Sequence, residues 1–256
     1  MVEKQLRLLF TLLKMLKQEF IREALRASQE VKVMLEDCND IEDYLPQEIG
    51  AGGDATNGLD LKAEAIYVKR LGKFGRIESE ESGSIGEGED VIVLDPIDGS
   101  DNTLTHFPYY GASIALVRDG KTIMAIVCNF ANSDVFIKDD TNFMHGKLNS
   151  AVFQPVQIHH TSKVGIFEKA PIYPDVVKKL MDNKLKFRGP GAVALSLAYA
   201  HYVNFVIFLG KMRPYDLKAG LFMCEDLHIY EDEEALIISK DLDVFNRLKT
   251  IILEDT

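Results

Sequence analysis

Leu8, Leu9, Phe10, Leu12, Leu13, Met15 and Leu16 crowd the start of the chain, and residues 3–37 mix Leu, Ala, Lys, Glu and Gln with no glycine or proline. That spacing predicts one long helix or two joined by a kink. Pro46 and the glycines at 50, 52 and 53 mark a loop. Helical spacing returns at 59–71 through Leu59, Ala63, Ile66, Val68 and Leu71, and a short extended run at 76–79 meets an acidic, glycine-rich segment at 80–90. Val91, Ile92, Val93 and Leu94 are four consecutive β-formers, which suits a strand buried on both faces; it stops at Asp95-Pro96. Runs at 109–118, 122–130 and 135–138, separated by Asp119-Gly120 and by Asn132-Ser133-Asp134, predict an antiparallel meander. Beyond about residue 151 the pattern alternates: strands at 164–167, 186–188 and 203–209, helices at 174–182, 191–201 and 214–224, then a strand at 236–239 and an amphipathic helix at 242–253. The expectation is an α/β protein of two lobes, 1–150 and 151–256.

Composition narrows the class. Of 256 residues, 46% are hydrophobic and 27% charged, enough apolar material for a sizeable core. Forty acidic against 29 basic side chains leave a formal charge of −11, which argues against nucleic acid and anionic membrane as partners and raises an objection to a phosphorylated substrate. Cys38, Cys128 and Cys224 form no CxxC pair, so neither a disulfide framework nor a thiolate zinc site is expected, and a reducing cytoplasm fits. Lys14 and Lys17 interrupt the apolar start and no small-residue cleavage site follows, so it reads as a helix packed in the core or against a second subunit.

The candidate chemistry centres on Asp95-Pro96-Ile97-Asp98-Gly99-Ser100. A buried strand delivers one carboxylate, proline fixes the next φ, and a second carboxylate follows beside a glycine, with a helix expected to begin at Ser100 or Asp101. Oxygen ligands so arranged suit a hard divalent cation, and a helix start beside it offers amides to a phosphate. An isolated DxxDG is also compatible with a capped turn. An EF-hand is excluded, since its sixth position would be Ser100 and its twelfth His106. Two further acidic sites keep the motif company: Glu80-Glu81-Ser82 after its own short strand, and Tyr215-Asp216-Leu217-Lys218-Ala219-Gly220 at a strand-to-helix junction.

These three motifs, in this order and at these separations, resemble the inositol monophosphatase family of magnesium-dependent, lithium-sensitive phosphatases, which includes archaeal-type fructose-1,6-bisphosphatases. The resemblance runs from Gly53-Asp54 through Asp60 and Glu64 to the end of the Asp216 segment. It implies a five-layered α/β/α/β/α sandwich and two to three Mg²⁺ ions, and the long N-terminal helix points to a homodimer. Glu80, Asp95 and the Ile97 carbonyl would hold one ion, Asp95, Asp98 and Asp216 a second, and a weaker third would lie near Glu80. Asp60 and Ser100, the latter where the family has threonine, would orient and deprotonate the attacking water. The amides of Gly99 and Ser100 would bind phosphate oxygens, and hydrolysis would proceed without a phosphoenzyme.

The substrate half departs from the family. Arg188-Gly189-Pro190-Gly191-Ala192 resembles its sugar-contacting segment, with Ala192 where threonine or serine is common. Leu209 stands where inositol-specific members carry a substrate-binding glutamate, and Tyr215 replaces a tryptophan. Lys211 and Arg213, close to Asp216, would bind a second phosphate, pair with the metal carboxylates or stand as surface charges. The expected activity is therefore phosphomonoester hydrolysis of a small polyol or sugar phosphate. The alternatives are fructose-1,6-bisphosphatase, a 3′-phosphoadenosine 5′-phosphate phosphatase, or a catalytically degenerate regulatory member. His159 and His160 would point to opposite faces of a strand and could not share a metal.

Overall fold

The computed structural model describes residues 2–38, 41–53 and 55–253; Asp54, at the start of the resemblance, lies outside them. α1 (Val2–Asp37) is a single helix, and a short hairpin follows, β1 (Pro46–Ile49) with β2 (Ala55–Asn57). α2 (Gly58–Leu71) starts at a capping box: Asn57 Oδ1 accepts the Leu59 and Asp60 amides while the Asp60 carboxylate accepts the Asn57 amide.

The strands β3 (Arg76–Ser79), β4 (Gly83–Ile85), β5 (Val91–Asp98), β6 (Gly111–Arg118), β7 (Lys121–Asn129), β8 (Asp134–Asp139), β9 (Phe143–Lys147) and β10 (Phe153–Pro155) form an eight-stranded sheet, with α3 (Ser100–Leu104) between β5 and β6. Its order is β10-β9-β8-β7-β6-β5-β3-β4, and only β3 and β5 pair in parallel. The second sheet contains β11 (Val164–Glu168), β12 (Lys186–Arg188), β13 (Phe205–Leu209), β14 (His228–Glu231) and β15 (Ala235–Ser239), in the order β12-β11-β13-β15-β14. Interspersed are α4 (Pro174–Asp182), α5 (Val193–Ala198), α6 (Pro214–Cys224) and α7 (Leu242–Leu253).

Strand alternation sorts the core into layers. Ile92, Leu94, Ile114 and Ile126 pack with Phe20, Ala24, Ala63 and Tyr67 of α1 and α2. Their neighbours Val93, Ala115, Ala125 and Val127 pack on the opposite face with Leu195, Ala198, Ala219 and Met223 of α5 and α6. The same two helices turn Leu197, Leu217 and Cys224 to Val206, Phe208, Leu236 and Ile238 of the smaller sheet. The far face of that sheet, Phe205, Ile207 and Ile237, is covered by Leu180 of α4 and Leu248 and Ile252 of α7. Helix pair, sheet, helix pair, sheet, helix pair is the five-layered sandwich that the resemblance implied.

Differences from the sequence reading are local. Residues 46–49, 55–57, 83–85, 143–147, 153–155 and 228–231 are additional strands; β4, β10 and β14 lie at sheet edges, and half-exposed, mixed sequences such as the Phe-Met-His-Gly-Lys of β9 carry no period-2 pattern. The helix expected over 191–201 shrinks to α5 because Gly191 takes a left-handed φ of 85° and Ala192 is extended. His159 and His160 lie on no strand, so the argument from opposite strand faces does not apply to them. No helix among the described residues is long and apolar enough to cross a membrane.

Candidate metal centre

Parallel pairing places the first two carboxylates. Ser79 of β3 is level with Leu94 of β5, so the residues that follow, Glu80 and Asp95, emerge side by side, with the Glu80 amide donating to the Leu94 carbonyl at 3.0 Å. Asp98 needs a further device, since residues three apart on a regular strand face opposite ways. Between Asp95 and Asp98 the register against β6 shifts, four residues standing against the three from Gly111 to Ser113. This bulge, which accommodates Pro96, lets both carboxylates line one cavity. Asp216 joins from the first turn of α6, and single carboxylate oxygens of Glu80, Asp95 and Asp216 lie within 4.8 Å of one another.

These carboxylates are held at an electrostatic disadvantage. Burial, reinforced by Glu80, Asp98 and Asp216, pushes the Asp95 carboxyl well above the ordinary range. Burial and then Asp216 do the same to Asp98, opposed by the Leu195 amide, which donates to Asp98 Oδ2 at 2.7 Å. Asp95 Oδ1 accepts the Ile97 amide at 3.0 Å, whereas Asp95 Oδ2 is buried with no hydrogen-bond partner among the described residues. A buried carboxylate oxygen without a donor is destabilising unless a cation takes it. An all-oxygen set around such an atom fits a hard divalent ion.

Ser100 stands next to this cluster. Its Oγ lies 2.9 Å from Asp60 Oδ1 and 3.0 Å from the Ile97 carbonyl, and donates its one proton to either. Burial raises the Asp60 carboxyl to about 6, against the Asn57 amide and the Ser100 hydroxyl, which lower it. Glu81, bonded by the Thr56 hydroxyl, is raised to about 7, again chiefly by burial. The capping box of α2 thus serves the site as well, because Asn57 fixes the carboxylate that Ser100 addresses.

A cavity of about 550 Å³ opens over the cluster, and Asp60, Glu80, Glu81, Asp95, Ile97, Asp98, Gly99, Ser100, Gly191, Arg213 and Asp216 all line it. Gly99 and Gly191 both take positive φ, and a Cβ on Gly99 would come within 3.1 Å of the Ala192 side chain. Ala192 is buried behind that contact, and it is not among the lining residues. Arg188 also stays outside: it is exposed on β12 and donates to its neighbour's carbonyl, that of Phe187. Lys211 lines a larger neighbouring cavity of about 990 Å³, and Arg213 belongs to the wall of both. Within the site, Arg213 Nη1 meets Glu80 Oε1 at 2.7 Å and Arg213 Nε meets Asp216 Oδ2 at 3.0 Å.

Two charged lining residues were not singled out from sequence, Glu168 and Lys169. Glu168 is buried at the end of β11 and accepts the Gly191 amide and the Ser196 hydroxyl. Its signal was present, a carboxylate closing a run of β-formers as Asp95 does in the sequence, but no glycine follows it to suggest a site.

The sequence matches the inositol monophosphatase family over residues 17–227. It is 28% identical over 204 residues to a fructose-1,6-bisphosphatase of Pyrococcus furiosus, covering 77% of this chain and 76% of that one. With a fructose-1,6-bisphosphatase/inositol-1-monophosphatase of Methanothermobacter thermautotrophicus it shares 31% identity over 202 residues, 70% of this chain and 71% of its relative. The fold superposes on the extragenic suppressor protein suhB of Bartonella henselae with a TM-score of 0.75 at 19% identity, covering 93% of this chain and 99% of that one. The chain belongs to the inositol monophosphatase family.

Proposed function

We propose that the protein is a magnesium-dependent phosphomonoesterase acting on a small phosphorylated polyol or sugar. The observation that carries this reading is the buried, partnerless Asp95 Oδ2 within a carboxylate cluster whose next neighbour is the Asp60–Ser100 pair. Glu80, Asp95, the Ile97 carbonyl, Asp98 and Asp216 would hold two to three Mg²⁺. Bound there, magnesium supplies the positive charge that polarises the phosphate ester and acidifies water.

The chain's own residues do the rest. Asp60, ionised above about pH 6, draws a proton through the Ser100 hydroxyl from the attacking water. No side chain among the described residues caps α3, which leaves the Gly99 and Ser100 amides for phosphate oxygens. Gly191, without a Cβ, lets the substrate approach the backbone. The same reading takes the enzyme to be a cytoplasmic homodimer, with neither nucleic acid nor membrane as partner.

Asp95→Asn and Asp216→Asn are expected to abolish Mg²⁺-dependent phosphate release; full activity of either at saturating Mg²⁺ would overturn the metal assignment. The substrate class is read from a panel of inositol 1-phosphate, fructose 1,6-bisphosphate and adenosine 3′,5′-bisphosphate. A fructose-1,6-bisphosphatase is the second reading, favoured by Lys169 and Arg213 in the cavity wall and by the names of the two archaeal relatives.

A further inference from the structure

We propose that Arg213 is a resident counter-cation of the metal centre, which divalent ions must displace in order to load. The inference rests on the magnesium reading above and concerns what the chain itself puts in the way. The Arg213 guanidinium touches Glu80 Oε1 at 2.7 Å, Asp216 Oδ2 at 3.0 Å and Asp216 Oδ1 at 3.3 Å. It therefore engages both oxygens of one carboxylate in the metal-sized cluster and one oxygen of another.

A guanidinium clamped across two carboxylates neutralises charge much as a metal would, through charge-assisted hydrogen bonds. A divalent ion drawn to the same oxygens would sit a few ångströms from a fixed positive charge, and the repulsion in a partly buried site is large. The two cations thus compete for Glu80 and Asp216.

The surroundings provide for the exchange. Pro214 follows Arg213 and restricts its backbone to the extended region, where it lies at φ −115° and ψ 142°. Movement must then come from the side-chain torsions, with the backbone held. The side chain is a quarter exposed and lines both the site and the adjoining cavity of about 990 Å³, so displacement carries the guanidinium towards open space. Once released, it becomes available to an anionic group of the substrate, and loading of metal and recruitment of anion are coupled through one side chain.

The test is Mg²⁺ affinity by calorimetric titration of the metal-free protein without substrate, for wild type, Arg213→Ala and Arg213→Lys. Removing the guanidinium should tighten Mg²⁺ binding about tenfold or more, with Arg213→Lys between the two because an ammonium cannot span both carboxylates. In parallel, metal-free Arg213→Ala should melt below metal-free wild type, and saturating Mg²⁺ should close that gap. Unchanged or weaker Mg²⁺ binding by a folded Arg213→Ala, with wild type binding normally, overturns the inference and leaves the phosphatase reading standing. Absence of Mg²⁺ binding to folded wild type overturns both.

Discussion

Asp60 shows how one residue acquires a chemical role from its surroundings. It is almost fully buried, held by the Asn57 amide on one oxygen and by the Ser100 hydroxyl on the other, and its carboxyl is raised to about 6. A base poised near neutrality and aimed at a hydroxyl can collect a proton from water, which contributes about 10²–10⁴-fold to rate in comparable sites. Asp60→Asn and Ser100→Ala should therefore lower kcat by about that factor with Mg²⁺ affinity retained, while Ser100→Thr, which keeps the hydroxyl, should remain active. Equal kcat for Asp60→Asn and wild type would remove the base from the mechanism. Asp60, Ser100 and the acidic ligands were legible because their types and spacings recur as a motif. Glu168 was not, since its role depends on the Gly191 amide and the Ser196 hydroxyl of α5, which the fold turns towards it. Nor did sequence decide among the roles open to Arg213: only the geometry puts its guanidinium on Glu80 and Asp216.

At the scale of elements, the close passage of α5 and α6 governs where Asp216 stands. Gly220 is one turn after Asp216 on α6, and a Cβ there would meet the Leu197 side chain of α5 at 2.4 Å. The missing side chain lets the two helices share the thin middle layer between the sheets. Gly220→Ala forces them apart, and overpacking of this kind costs about 1–3 kcal/mol. Urea denaturation should show that loss, and Mg²⁺ affinity should weaken with it because Asp216 shifts with its helix. A variant of wild-type stability would mean that the layer is softer than its contacts imply. Helix periodicity made α1, α2, α4, α6 and α7 readable, and Asp119-Gly120 marked the β6–β7 turn, where both residues take positive φ. Strand pairing was much less so: the parallel match of β3 with β5 and the bulge before Asp98 join segments whose partners no local pattern names.

For the molecule as a whole, the layer order came from the family resemblance, because periodicity says which face of a helix is apolar and not which sheet it covers. The acidic balance of −11 is organised in part around the site, where Asp60, Glu80, Asp95, Asp98 and Asp216 converge. Metal-free protein carries that convergence as a strain that pH can relieve. Between its ordinary value of 3.8 and about 6, native Asp60 holds a proton that the unfolded chain has released. The stability it contributes is fully present below 3.8 and lost as pH rises through about 6, a change of about 3 kcal/mol in all at about 1.4 kcal/mol per tenfold, of which about 0.8 kcal/mol falls between pH 5.5 and 7.5. Glu81, raised to about 7, and Asp95, Asp98 and Glu168, also raised by burial, act in the same direction. His201 opposes them: burial holds its imidazole below 6.5, so the stability of its neutral form is present above 6.5 and lost as pH falls through its lowered value. Five raised carboxyls against one lowered imidazole predict that chelator-treated protein melts at a higher temperature at pH 5.5 than at pH 7.5. Asp60→Asn should shrink that gain, and saturating Mg²⁺ should restore stability at pH 7.5 by satisfying the ionised cluster directly. Melting curves in EDTA and in Mg²⁺ at the two pH values decide it. A metal-free protein that melts lower at pH 5.5, in wild type and Asp60→Asn alike, would show that the convergent carboxylates carry no such strain.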